Sequence, residues 1–136
     1  MASISAAHAL DLSSLRKPGV TWQAKNAQTA DVNCDGRPDT LLLGTSRNKV
    51  WVAIIPGGGG KPQTMEFPVA SGFQGGLCGV PKRISIEPLS CSSEDGPLDG
   101  CRPVKTCKSF SLDDGECDPF NFYWDSRHKR MRWWRN

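Results

Sequence analysis

Nine consecutive residues, Asp31, Val32, Asn33, Cys34, Asp35, Gly36, Arg37, Pro38 and Asp39, bring three carboxylates and an amide together at odd offsets. They spell D-x-N-x-D-G-x-x-D and run into Leu41, Leu42 and Leu43. Hard cations seek oxygen, and calcium takes about six to eight such ligands. Alternation in a tight loop points Asp31, Asn33 and Asp35 to one side. Gly36 allows the sharp turn that follows, at positive φ. The backbone carbonyl of Arg37 and the carboxylate of Asp39 then complete a shell for Ca2+. An EF-hand ends its loop on a glutamate at position twelve and continues into a helix. Here that position is Leu42 and a strand follows, so the loop is of another kind. A bare Asx turn needs fewer acids, since Asp and Asn already bond their own backbone in turns, and crowding unneutralised carboxylates costs energy. The expected role is structural, because an all-protein oxygen shell leaves little room for a substrate.

A second group of residues suits recognition. Ser71, Gly72, Phe73 and Gln74 open a glycine-rich loop that ends at Gly79, and Lys82 and Arg83 follow it. A hydroxyl, an amide, an aromatic ring and two cations near one loop are the equipment of a binder, and loops on rigid scaffolds carry most recognition. The competing reading is a bare connection with Phe73 folded onto the core. Catalysis has less to work with. The histidines are His8, near the start, and His128, in a basic turn, and neither has a nucleophile in a suitable context. Glu66, Glu87 and the cluster Asp113, Asp114, Glu116 and Asp118 could in principle supply a carboxylate pair; the cluster reads better as a solvated turn or a weak second cation site. The chain is therefore expected not to be an enzyme. A net charge of +3 does not demand nucleic acid. The basic tail Arg127, His128, Lys129, Arg130, Arg132 and Arg135, with Trp133 and Trp134, has the residue types of a single-strand binder. Its alternation fits a solvated hairpin better.

Short strands must position these groups. The chain has 136 residues, 14 glycines and 10 prolines, which argue for many strands and turns rather than long helices. The strongest hairpin joins residues 40–44 to residues 49–55 through Ser46, Arg47 and Asn48, with Val50, Trp51, Val52, Ile54 and Ile55 strongly β-forming. Weaker strands are expected over 20–25, 64–69, 83–89 and within 104–112, and a last hairpin over 120–124 and 130–135. Residues 56–62, with four consecutive glycines, read as a flexible loop. The expected fold is all-β: an antiparallel β-sandwich or barrel-like domain of about seven or eight short strands. Residues 1–19 read as a loose leader and residues 20–136 as one domain. No internal repeat is visible, which excludes a propeller.

Six cysteines, Cys34, Cys78, Cys91, Cys101, Cys107 and Cys117, form no C-x-x-C pair. An even count in a small domain reads as three disulfides formed in an oxidising compartment. Fifteen pairings are possible. The working expectation pairs the four between residues 91 and 117 among themselves and leaves Cys34 with Cys78, a bridge that would brace the acidic loop. No cleavable signal peptide and no membrane span is visible. The chain therefore reads as a mature or cloned portion whose targeting segment, including any lipid anchor, lies upstream.

The acidic loop closing on a strand resembles the calcium loops of FG-GAP and VCBS repeats. Taken with the Val50-Trp51-Val52 hairpin, the Ser71-Gly72 loop and the ending F-Y-W-D…R-M-R-W-W-R, the chain resembles periplasmic inhibitors of I-type lysozyme. It resembles more closely the immunity lipoproteins that protect bacteria against lysozyme-like effectors of bacterial-killing type IV secretion systems. The resemblance spans about residues 20–136. It implies a monomeric periplasmic β-sandwich, anchored through its upstream segment, that blocks a peptidoglycan hydrolase by inserting a loop into its cleft. Family inhibitors carry S-G-x-x-Y there; Ser71 and Gly72 match, and the tyrosine position is Gly75. A lysozyme cleft presents two carboxylates, which Ser71, Gln74, Lys82 and Arg83 suit, with Phe73 as an aromatic anchor. The alternative expectation is a calcium-dependent carbohydrate-binding or cell-surface adhesion module.

Overall fold

The computed structural model describes residues 12–70 and 74–136. Its strands are β1 (Thr21–Trp22), β2 (Gln28–Ala30), β3 (Asp39–Ser46), β4 (Lys49–Ile55), β5 (Gln63–Pro68), β6 (Ile84–Pro88), β7 (Ser92–Ser93), β8 (Gly96–Pro97), β9 (Lys108–Leu112), β10 (Phe120–Asp125) and β11 (Arg130–Trp134). The only helical elements among the described residues are 3-10 turns at Leu12–Leu15 and Ala24–Asn26. One sheet has the order β1-β3-β4-β5, with β2 also paired to β3; the second has the order β11-β10-β9-β6; β7 and β8 form a small ribbon. Every strand pairing within these sheets is antiparallel.

Alternation decides what lies between the sheets. Leu41, Leu43, Val50, Val52, Ile54 and Phe67 face inward from the first sheet. Ile84, Phe110, Leu112, Phe120, Phe122 and Met131 meet them from the second in one buried cluster. Phe67 is the central contact, edge-on to Phe120 at 4.6 Å, Phe122 at 5.9 Å and Trp133 at 5.9 Å. Two hydrogen-bonded sheets around one core make this a sandwich rather than a closed barrel. The sides are closed by glutamine side chains. The Gln28 amide on β2 donates to the Ile84 carbonyl on β6. On the other side the Gln63 amide donates to the Met131 carbonyl at 3.0 Å and accepts the Met131 N–H at 2.8 Å. These bonds occupy backbone groups that an open sheet edge would leave free.

The triple leucine has a structural reason. Leu42 points away from the main core, but Leu42 and Ala53 are covered by Leu15, with Trp22 and Ala27 packed around them. A strand buried on both faces reads as an unbroken apolar run. Part of the stretch expected as a loose leader is thus a packed 3-10 turn, with Leu15 buried against the outer face of the first sheet. The weak strand expected over residues 20–25 is two residues of β1 followed by the turn at Ala24–Asn26.

The disulfides are Cys34–Cys107, Cys78–Cys117 and Cys91–Cys101. The expected pairing of Cys34 with Cys78 is incorrect, as is the closure of the four later cysteines among themselves. Cys34 lies at one end of the strands of the first sheet and Cys78 beyond the other, so the length of the sandwich separates them. Three disulfides place the chain in an oxidising, extracytoplasmic setting. No helix among the described residues is long and apolar enough to cross a membrane.

Candidate functional site

The 31–39 loop sits between β2 and β3 and folds around its own acids. Asp31 accepts the N–H groups of Asp35 (3.2 Å) and Gly36 (2.9 Å), and the Asn33 side-chain oxygen also accepts Asp35 N–H at 3.2 Å. Asp35 accepts Arg37 N–H at 2.8 Å. Gly36 has φ 88°, as the turn demands. Asp39 behaves differently. It is 0% exposed and accepts three backbone N–H groups, from Val32 (2.8 Å), Asn33 (3.1 Å) and Gly57 (3.1 Å). Asp31 and Asn33 therefore share the Asp35 N–H, Asp35 lies with them on the outer side of the loop, and Asp39 is turned to buried amides. The loop is tied to the second sheet by Cys34–Cys107 and by Lys108 N–H donating to the Asp31 carbonyl at 2.8 Å. The 56–62 segment, expected to be flexible, packs on it. A Cβ at Gly57 would run into the Pro38 carbonyl, and one at Gly58 would lie 2.9 Å from an Asp35 oxygen.

Acid and histidine atoms gather elsewhere at this end of the sandwich. Among the described residues, Asp99, Asp125 and His128 bring three such atoms within 4.8 Å of one another. Cations already occupy that cluster. Arg132 lies 3.3 Å from Asp99 and 3.4 Å from Asp125, and Arg127 lies 3.0 Å from Asp99. Two guanidinium groups there repel a metal ion. The buried Asp125 instead organises the β10–β11 turn, accepting the N–H groups of Arg127 (2.9 Å) and His128 (3.1 Å) and contacting His128 Nδ1 at 2.7 Å. Burial pushes its carboxyl pKa up, but the bonds from His128, Arg127 and Arg132 outweigh that and hold it well below the carboxylate range. Gly100 is required beside it, since a Cβ there would collide with the Asp125 carboxylate.

The other end of the strands carries the second candidate region. Ser71, Gly72 and Phe73 lie outside the described residues; the segment that returns from them is clamped. The Gln74 amide donates to the Arg135 carbonyl at 3.2 Å. The Arg135 guanidinium donates to the carbonyls of Gln74 (2.9 Å), Gly76 (2.7 Å) and Asp118 (2.9 Å), and lies 4.4 Å from the Phe120 ring centroid. Leu77 N–H donates to the Pro68 carbonyl at 2.9 Å, and Cys78 is bridged to Cys117. Asp114 accepts the N–H groups of Cys78 (2.7 Å), Glu116 (2.8 Å) and Cys117 (2.9 Å). Burial raises its pKa, and the amides of Cys117, Glu116, Cys78 and Gly79 bring it below its ordinary value. Beyond the clamp, Val80 is 57% exposed, the one large hydrophobic so exposed among the described residues. Lys82 and Arg83 are exposed as well. No protein-family model, curated protein or solved structure matches this chain.

Its chemistry rests on the placement of its own side chains. Of the expected partner residues, the described Gln74, Lys82 and Arg83 stand at the end of the sandwich opposite the acidic loop, so they do not form one site with the expected metal ligands. Glu66 lies on the outer face of the first sheet, paired with Lys49 at 2.6 Å. Glu87 lies on the outer face of the second, accepting Ser111 Oγ–H at 3.1 Å. With the core between them they cannot share a substrate. Of the basic tail, Arg127, His128 and Lys129 form the β10–β11 turn, and Arg130 and Arg132 lie on the outer face of β11, with Met131 and Trp133 turned to the core. His8 lies outside the described residues. Arg135 is the contributor that sequence reasoning placed only in a basic tail; three carbonyl acceptors from distant segments leave no local signal.

Proposed function

We propose that this chain is a periplasmic inhibitor, an immunity protein that binds and blocks a lysozyme-like peptidoglycan hydrolase delivered by a secretion system. The observation that carries the reading is the clamp under residues 74–78. Arg135, Asp114 and the Cys78–Cys117 bridge hold that segment in one geometry, so residues 74–78 lose little ordering entropy when a partner is bound. Exposed Lys82 and Arg83 follow it and have no ion-pair partner among the described residues. They are complementary to the two carboxylates of a glycosidase cleft. The separation of Glu66 from Glu87 supports a binder over a hydrolase. All five tryptophans are half-buried, which gives less support to a broad sugar-binding platform.

Calcium belongs to the same proposal as a structural ligand. Asp31, Asn33 and Asp35 on the outer side of the loop, with the Arg37 carbonyl, have the hard oxygen donors it takes. Asp39 serves the backbone instead. Bound there, the ion would neutralise the loop's crowded carboxylates. The reading further places the protein at the membrane through an upstream lipid anchor.

A turbidity assay tests the function. Peptidoglycan is mixed with invertebrate-, chicken- and goose-type lysozymes and a secreted lysozyme-like effector, and this chain is added at rising ratio. Saturable, stoichiometric inhibition of one enzyme is expected, weakened by Arg135→Ala. Absence of inhibition throughout the panel, with the chain sedimenting on peptidoglycan instead, would overturn the reading.

A further inference from the structure

A cleft of about 320 Å³ opens where the 31–39 loop meets the β10–β11 turn and the residues before Cys107. That is within the size range of small-ligand sites. It lies at the end of the sandwich opposite the 74–78 clamp, so it serves something other than the hydrolase contact. Trp124, Ser126, Asn33, Asp35, Arg102 and Lys129 line it. Trp124 is half-buried against the core, and its indole N–H donates to no acceptor among the described residues. Arg102 and Lys129 are exposed and carry no ion pair or side-chain hydrogen bond within the described residues. Elsewhere in this region arginines are used: Arg127 and Arg132 pair with Asp99 and Asp125.

Backbone strain marks the same place. Four non-glycine residues have positive φ among the described residues, and two of them, Cys34 (φ 63°) and Lys129 (φ 57°), line this cleft. The Cys34 conformation is held by its bridge to Cys107. Lys129 has no such tie. Glycine would take its conformation without steric cost, yet a lysine stands there with its amine free. Strained, non-glycine positions collect at functional sites.

We infer that this cleft binds a pyranose carrying a carboxylate, the terminal or single unit of an acidic saccharide. The indole offers an apolar face for the C–H side of a sugar ring. The Asn33 amide N–H groups can donate to sugar hydroxyls, and the Ser126 oxygen, whose own proton goes to the Gly100 carbonyl, can accept from them. Arg102 and Lys129 pair with the carboxylate, Arg102 through its planar fork.

The test follows the tryptophan indole N–H resonances of ¹⁵N-labelled protein in calcium-replete buffer, with glucuronate as the probe and glucose and acetate as controls. Glucuronate is expected to shift the Trp124 resonance, assigned by its loss in Trp124→Phe, along a saturable curve. Glucose and acetate should each bind about tenfold more weakly or less. Arg102→Gln and Lys129→Gly should each weaken glucuronate by about tenfold. Lys129→Gly should not lower the melting temperature, since it relieves the backbone, so lost binding cannot be lost folding. The inference is overturned if glucuronate gives no shift at about 50 mM. It also falls if acetate or glucose binds as well, or if both variants bind like the native chain.

Discussion

Asp35 and Asp39 belong to one motif and answer to different forces. Asp35 is exposed and bonds a local N–H, whereas Asp39 is buried under three backbone donors. Removing Asp39 leaves those donors without an acceptor, so Asp39→Ala should cost about 3 kcal/mol in urea unfolding. Asp35→Ala should cost less than about 0.5 kcal/mol without metal. Calcium should raise the melting temperature of the native chain by mass action and leave that of Asp35→Ala unchanged; an equal response of the two would remove the metal from the loop. Asp125 makes the pH prediction. Its folded-state pKa lies below the unfolded value of about 3.9. Its contribution is therefore complete above that unfolded value and is lost as pH falls through the lower folded one. Asp125→Asn should be less stable than the native chain at pH 6, with the gap narrowing between about pH 4 and pH 2 in chemical unfolding.

At the scale of elements, β4 and its hairpin with β3 were legible because alternating β-branched and aromatic residues leave one solution. β5, β6, β10 and β11 were legible for the same reason. β2 and the β7–β8 ribbon were not, since two or three residues carry no period. The glycine run after β4 shows how composition misleads. Gly59 and Gly60 have φ of 92° and 110°, which is conformational freedom used in a turn. Gly57 and Gly58 are small because Pro38 and Asp35 press against them. Gly57→Ala should therefore destabilise by about 2 kcal/mol through forced backbone displacement. A melting curve matching the native chain would show that this segment does not pack on the acidic loop.

Across the whole molecule, the bridges join segments that the chain keeps far apart. Cys34 and Cys107 are separated by 73 residues, Cys91 and Cys101 by 10. In the chain-entropy account the longer loop restrains the unfolded state more, so alanine pairs at Cys34 and Cys107 should lose about 2 kcal/mol more than pairs at Cys91 and Cys101. Equal losses in urea unfolding would place the strength of these bridges in the native state. The sequence by itself determined the all-β class, the oxidising setting, the main strands and the acidic loop, because side-chain period, cysteine count and ligand spacing are local properties. Tertiary structure alone decided which cysteines meet, that Asp39 serves backbone amides, that Arg135 clamps the 74–78 segment, and that Trp124, Arg102 and Lys129 share a cleft. Each of those depends on how two sheets are placed face to face, and that placement follows from the summed packing of the core rather than from any short stretch of chain.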